Sequence, residues 1–359
     1  MNVVNKVAFP RFGNYHVPVS FLIKKVLNAV PIIPPNTSRK TLEIGAKHAP
    51  DFICVPFKFT LGSMIEALEM GANVIIGIGG TCRLSYYPEL QQQILTDLGY
   101  KFKFINTSNL NFRDPKFLAS LKEINPEVNG SMLIKYWLLA KELVKAVDQC
   151  ETFIRSNVGF EVQKGSFDKL YNELISKFYT VETKDEIISL LNEYMEKFKN
   201  VEISKPKNCL RVGVIGEYYT IMEPYSNHFI ERELAENGIE VFRNLNVSST
   251  FFADTRPSLL KNISKWLKFE GGASTVYTIN DAKEFAEKGF DGIVHLKSFG
   301  CTPETDMLPV LQNISNEYNI PILYLSFDTQ TSETGIKTRL EAFIDMLQFK
   351  NNKVTEEVE

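Results

Sequence analysis

The chain has 359 residues, 44% hydrophobic and 23% charged, the balance of a globular protein with enough material for two cores. A formal net charge of -3 gives neither nucleic acid nor an anionic membrane surface a reason to bind. No apolar run reaches the ~20 residues that span a bilayer, and the first six residues lack the basic-then-apolar order of a signal peptide, so a cytoplasmic location is expected.

Residues 6–10 read as a first short strand, 19–30 have the apolar spacing of a helix, and 32–34 read as extended. Leu61, Ile65 and Leu68 share one face of a helix predicted over 59–70 and stopped by Gly71. A strand over 74–78, a helix over 88–98 stopped by Gly99, and a strand over 101–105 follow. From 114 to 200 the periodicity is helical, clearest over 132–153 and 184–198, and 204–208 read as a linker. A second alternation then begins: strands over 210–216, 240–242, 292–296 and 321–325, and helices over 226–237, 280–288, 308–318 and 333–349. Strands alternating with helices predict an α/β protein built from parallel βαβ units. The expected organisation is an N-terminal α/β domain (1–113), a helical segment and linker (114–206), a C-terminal α/β domain (207–350) and a polar, frayed tail (351–359).

Five widely spaced cysteines do not suggest a disulfide framework in a reducing compartment. Three share a context. Cys54 follows the apolar run Asp51-Phe52-Ile53 and precedes Val55-Pro56; Cys82 follows the strand over 74–78 and a Gly79-Gly80-Thr81 turn; Cys301 follows the strand over 292–296 and a Phe299-Gly300 turn. Each is expected where a strand stops and a helix starts, the edge at which open α/β sheets bind ligands. Thiolates select soft metal centres, iron–sulfur clusters above all. Thr302 is a candidate helix cap beside Cys301, and Pro303 fits a first helical turn. Each cysteine taken singly also suits a small buried residue, and the spacing is not that of a zinc finger. Cys150 reads as helix packing, and Cys209, which precedes a strand, falls on the opposite edge.

Charged neighbours complete the candidate set. Lys58, Arg83 and Glu304 are candidate cofactor-binding residues, Arg83 also being placed to meet an anionic substrate. Lys297 has the alternative of a solvated surface charge. Glu217, Glu223, Glu304 and Asp328 lie at strand ends or turns, where a carboxylate either transfers a proton or caps a turn. Glu217, Arg83 and His228 are the catalytic candidates, His228 being the histidine to test first as a proton donor; His228, near a helix start, and His295, inside a strand, both also suit a structural role. Gly77-Ile78-Gly79-Gly80 and Gly213-Val214-Ile215-Gly216 fall short of a dinucleotide fingerprint and read as tight turns.

These motifs resemble one family. The residues are Lys6-Val7-Ala8-Phe9-Pro10-Arg11, Cys54-Val55-Pro56-Phe57-Lys58, Leu61-Gly62, Gly80-Thr81-Cys82-Arg83, Gly213-Val214-Ile215-Gly216-Glu217, Met222-Glu223-Pro224, the run from His295 to Glu304, and Thr338-Arg339-Leu340-Glu341-Ala342-Phe343. They resemble the iron–sulfur subunits related to 2-hydroxyacyl-CoA dehydratase and benzoyl-CoA reductase, in the branch labelled acyl-CoA dehydratase activase-related, or CoA protein activase. The resemblance implies two flavodoxin-like parallel-sheet domains with a helical insertion between them. It implies a [4Fe-4S] cluster held by three cysteines, which map onto Cys54, Cys82 and Cys301, with one open or non-cysteine position. It implies a low-potential electron from a separate ATP-dependent activator, passed in enzymatic members to a CoA thioester to form a ketyl radical in anaerobic metabolism. A second dehydratase-like subunit or a homodimer is the implied assembly. The chain lacks the activator's Gly-rich ATPase pattern and has too few thiols for a double-cubane cluster. A non-catalytic electron carrier or assembly subunit, and a metal-free small-molecule binding protein, are the alternative readings.

Overall fold

The computed structural model describes residues 4–79, 82–108, 114–253, 255–268 and 271–356. In chain order the elements are β1 (Lys6–Ala8), α1 (His16–Leu27), β2 (Val30–Ile32), α2 (Arg39–His48), α3 (Val55–Glu69), β3 (Val74–Gly77), α4 (Tyr87–Asp97), β4 (Lys103–Asn106), α5 (Pro115–Lys122), α6 (Gly130–Asn157), α7 (Ser166–Phe178) and α8 (Lys184–Lys199). They continue with β5 (Arg211–Gly216), α9 (Tyr218–Met222), α10 (Ile230–Glu236), β6 (Glu240–Phe242), α11 (Val247–Phe251), α12 (Arg256–Asn262), α13 (Thr275–Glu287), β7 (Gly292–Ser298), α14 (Thr302–Asp306), α15 (Leu308–Tyr318), β8 (Ile322–Phe327) and α16 (Glu333–Glu356).

The chain divides into two compact units, one of Met1–Val147 with Leu174–Leu191, the other of Asp148–Glu173 with Asn192–Glu359. Among the described residues each unit has one four-stranded parallel sheet, ordered β2-β1-β3-β4 in the first and β6-β5-β7-β8 in the second. Both follow the flavodoxin-like order 2-1-3-4, so the α/β class with two parallel sheets and helices between them is the observed architecture.

Side-chain alternation along the strands builds the cores. In the first sheet Val7 and Val74 face α1 and α5 through Ile23, Val26, Phe117 and Leu121. Ala8 and Ile75 face α3 and α4 through Phe57, Leu61, Met64 and Leu95. In the second sheet Ile215 and Ile293 pack on α13 and α15 through Ile279, Phe285, Leu311 and Ile314. On the opposite face, Gly292 admits Phe343 and Leu347 of α16: a Cβ there would lie 2.8 Å from the Phe343 ring.

Several elements depart from the sequence-based expectation. The helix predicted from residue 19 starts at His16, because Pro18 sits in its first turn, where no N–H is needed. Residues 39–48 form a helix that apolar spacing did not signal. It buries only Thr41 and Gly45 and is started by a reciprocal Ser38–Thr41 capping box. The helix expected over 226–237 is broken. His228 and Phe229 both adopt left-handed backbone (φ 55° and 56°), and Asn227 caps the restart at α10 by accepting from the Ile230 N–H at 3.1 Å. The last helix runs through to Glu356.

Candidate functional site

In the first unit, Cys54 does not follow a strand. It is the residue before α3, in the turn after α2, and Phe52 beside it is 98% exposed. The thiol makes no cap bond and lies 2.7 Å from the hydroxyl of Tyr87, whose ring packs edge-on against Phe57. Tyr87 opens α4, and the turn after Cys82 leads straight into it: Ser85 N–H donates to the Cys82 carbonyl at 3.0 Å within the one-turn segment Arg83–Tyr86. Tyr87 thus links Cys54 to the helix that Cys82 introduces. Lys58 is buried on α3, where its ammonium donates to the Asp51 carbonyl at 3.1 Å and ties the Cys54 turn to the helix. The Arg83 side chain lies outside the described residues.

The α3 helix is buried almost all round, and two glycines explain how. A Cβ on Gly45 would meet the Lys58 carbonyl at 1.7 Å, and one on Gly62 the Thr41 carbonyl at 1.9 Å, so α2 and α3 touch backbone to backbone.

In the second unit, Cys301 follows β7 and is itself the capping residue of α14; Thr302 is the first helical residue rather than the cap, and Pro303 lies in the first turn. Glu304, the third residue of α14, is fully buried. One of its oxygens accepts from the Ser274 hydroxyl and, at 3.0 Å, from the Thr278 hydroxyl; the other lies 2.8 Å from His295 Nε2. His295 is equally buried, and its Nδ1 has no partner among the described residues. Glu217 caps α9 by accepting from the N–H groups of Tyr219 (2.8 Å) and Thr220 (3.0 Å) and from the Thr220 hydroxyl (2.6 Å). Burial pushes its carboxyl above the ordinary range, and the nearby Glu304 adds to that. Gly216, at φ 141°, lets this turn lie against β7, where a Cβ would come 1.9 Å from the Leu296 carbonyl.

Lys297 is buried, not a solvated charge. Desolvation lowers its pKa, opposed by Cys301 and Glu304 nearby. His228 lies against Phe327 and Tyr225, with ring centroids 5.8 and 6.4 Å away, and burial lowers its pKa, opposed by Glu333. Asp328 serves its own turn, accepting from Gln330 N–H at 2.8 Å and the Thr331 hydroxyl at 3.0 Å. Cys150 is buried in α6 with its thiol pushed up to about 12 by desolvation, and Cys209 precedes β5 at the edge opposite Cys301.

The sequence reading missed the Glu304–His295–Ser274–Thr278 network. Its only signal was a polar pair, Ser274 and Thr278, one helical turn apart. Among the described residues no cysteine forms a disulfide, and no three His, Cys, Asp or Glu side chains are arranged to hold a metal. Two of the three candidate thiols belong to one unit and the third to the other, so neither unit alone contains the set Cys54, Cys82 and Cys301. The donors themselves suit a thiolate-ligated centre: Cys54 and Cys301 occupy cap positions with no cap bond from sulfur.

The family model described as 2-hydroxyglutaryl-CoA dehydratase, D-component, matches residues 152–347, more than half of the chain. The chain belongs to this family. No curated protein matches it. The match makes the chain a 2-hydroxyacyl-CoA dehydratase-like component. It takes in β5 to β8, Glu217, His228, His295, Cys301 and Glu304, while Cys54 and Cys82 lie outside the matched segment. Among the described residues, no helix of this dehydratase component is long and apolar enough to cross a membrane.

Proposed function

We propose that this dehydratase-like component is an iron–sulfur protein in which Cys54, Cys82 and Cys301 ligate a [4Fe-4S] cluster. Such a cluster would supply single-electron transfer, taking a low-potential electron from a separate ATP-dependent activator for radical chemistry on a CoA thioester or another small substrate. The observation that carries this reading is the family match, whose segment contains a cysteine presented at the ligand-binding edge of a parallel sheet. Components of this family are generally iron–sulfur proteins. Three thiolates leave one iron of a four-iron cluster without a protein sulfur, and the bound cluster supplies single-electron transfer and an open coordination position.

The chain's own residues have distinct parts. Cys54 caps a helix buried almost all round, so its sulfur is held by the backbone and by Tyr87. Arg83 meets the charge of the cofactor or of an anionic substrate group, with Lys58 and Glu304 supporting the cofactor turns. Glu217 and His228 are the proton-transfer candidates. Burial raises the pKa of Glu217, against the hydrogen bonds it accepts from Thr220 and Tyr219, and lowers that of His228, against the nearby Glu333. A second dehydratase-like subunit or a second copy completes the assembly.

Anaerobic purification followed by iron and sulfide analysis and EPR tests the reading. Iron in the wild type that is lost in Cys82→Ala supports it; no iron in the wild type, or full retention in the variant, defeats it. With iron present, water elimination from 2-hydroxyacyl-CoA thioesters in the presence of activator separates an enzyme from an electron carrier.

A further inference from the structure

The short helix α14 has no obvious means of holding itself in place. It is five residues long, and a single turn is unstable without tertiary contacts. Its own backbone bonds are local: Cys301 N–H donates to the Ser298 carbonyl at 3.0 Å, and the Cys301 carbonyl accepts from Thr305 N–H at 3.0 Å and its hydroxyl at 2.8 Å. These bonds lie within one stretch of chain; the Phe299 N–H ties the preceding turn to β8 through the Phe327 carbonyl at 2.8 Å, and buried Met307 follows the helix, but none of these fixes α14 through its own residues.

Glu304 does. It reaches from α14 to His295 in β7 and to Ser274 and Thr278 at the start of α13. Ser274 occupies the capping position of α13, where serine ordinarily accepts a backbone N–H, yet makes no such bond; its hydroxyl serves Glu304. His295 is a fully buried histidine in the middle of a strand, and Glu304 is its partner. Three polar partners from two elements converge on one buried carboxyl group, the arrangement in which removing one member leaves the others unsatisfied.

We infer that Glu304 is a positioning residue: with His295, Ser274 and Thr278 it forms a buried latch that holds the Cys301 turn in place. This deepens the proposed function, on which it rests only for why the sulfur's position matters. The latch itself needs no iron. Removing the carboxyl by Glu304→Ala frees α14 locally. Glu304→Gln keeps the shape and offers an oxygen to Ser274 and Thr278 and an N–H to the other tautomer of His295, so it restores most of the hold.

The test is peptide-resolved alkylation by iodoacetamide of the chelator-treated full-length protein, with Cys209, at the opposite sheet edge, as internal standard. Glu304→Ala is expected to raise the labelling rate of Cys301 about tenfold, the scale of a local opening released from one buried hydrogen-bonded group, and Glu304→Gln to stay within about twofold of wild type. Cys209 labelling stays unchanged in both. If Glu304→Ala does not fold, Ser274→Ala removes one donor and is expected to raise Cys301 labelling about threefold. Equal Cys301 labelling in the wild type and the folded variants, a parallel rise at Cys209, or no rescue by Gln overturns the latch. Iron content of the untreated wild type is read separately: iron-free protein with the rise at Cys301 intact overturns the cluster reading and leaves the latch standing.

Discussion

Cys54 and Cys301 occupy the same kind of position, the cap before a helix with proline in its first turn, but the two helices are held by different physics. The helix after Cys54 has fifteen residues buried nearly all round, and it lies backbone to backbone against α2 through Gly45 and Gly62. The helix after Cys301 has five residues and is tied by one buried carboxyl group. Apolar packing is non-directional and tolerates polar changes at its rim. A polar latch is directional and fails when one donor is lost. The same sheet order thus presents a thiol in two ways, one by bulk packing and one by a specific network.

The largest effect should come from breaking the first arrangement. Gly45→Leu forces a branched side chain against the Lys58 carbonyl and is expected to destabilise the protein by about 3 kcal/mol or more, read by urea denaturation. Gly335→Ala, in α16 with no atom nearer than 3.7 Å to the added Cβ, should be neutral or slightly stabilising. Equal behaviour of the two would end the claim that α3 is fixed by close approach.

The second arrangement is sharpened by Asp281, on the helix that supplies Ser274 and Thr278. Burial raises its pKa from 3.8 to about 7, helped by Glu284 and opposed by the Asn244 and Asn280 hydrogen bonds and by Lys288. The folded carboxyl keeps its proton up to about pH 7, where the unfolded one has lost it, so folding takes up a proton in that window and stability falls as pH rises through it. Denaturation at pH 5 and 7.5 should show the wild type losing ~2 kcal/mol more than Asp281→Asn. Equal losses would mean that the buried acid does not titrate with folding.

A smaller effect belongs to Tyr87, the hydroxyl that meets Cys54. If Cys54 ligates a cluster, Tyr87→Phe removes a hydrogen bond to sulfur and should lower the midpoint potential by about 40 mV, equivalent to ~1 kcal/mol for one electron. An unshifted potential would assign the hydroxyl to packing alone. The smallest effect is expected at the exposed Arg39–Glu43 pair on α2: Glu43→Ala should change stability by less than about 0.5 kcal/mol. A larger loss would mean that α2 is held by its surface charges and not by its glycine contacts.

Much of the fold was legible. Val74 to Gly77, Glu240 to Phe242 and Leu308 to Tyr318 were marked by apolar runs and glycine stops that act locally. Helix α2 was not, because it buries little and its signal is a capping box rather than a stripe. The break at His228 and Phe229 was hidden as well, since two left-handed residues without glycine leave no compositional trace. At the candidate site, the turn positions of Cys82 and Cys301 followed from flanking glycine and proline, whereas Cys54 was placed after a strand that does not exist. The pair Phe52-Ile53 after Asp51 is apolar but exposed at Phe52, and apolarity alone does not distinguish a strand from an exposed turn.

The sequence by itself determined the alternation of strands and helices, the family motifs and the turn positions of Cys82 and Cys301, because periodicity and turn chemistry act over a few residues. Only the tertiary structure decided that His295 and Glu304 are partners, that Lys297 is buried, and that Gly45 and Gly62 are contact surfaces. Those facts depend on which distant backbones approach one another, and burial converts an ordinary polar residue into one that must find a specific partner.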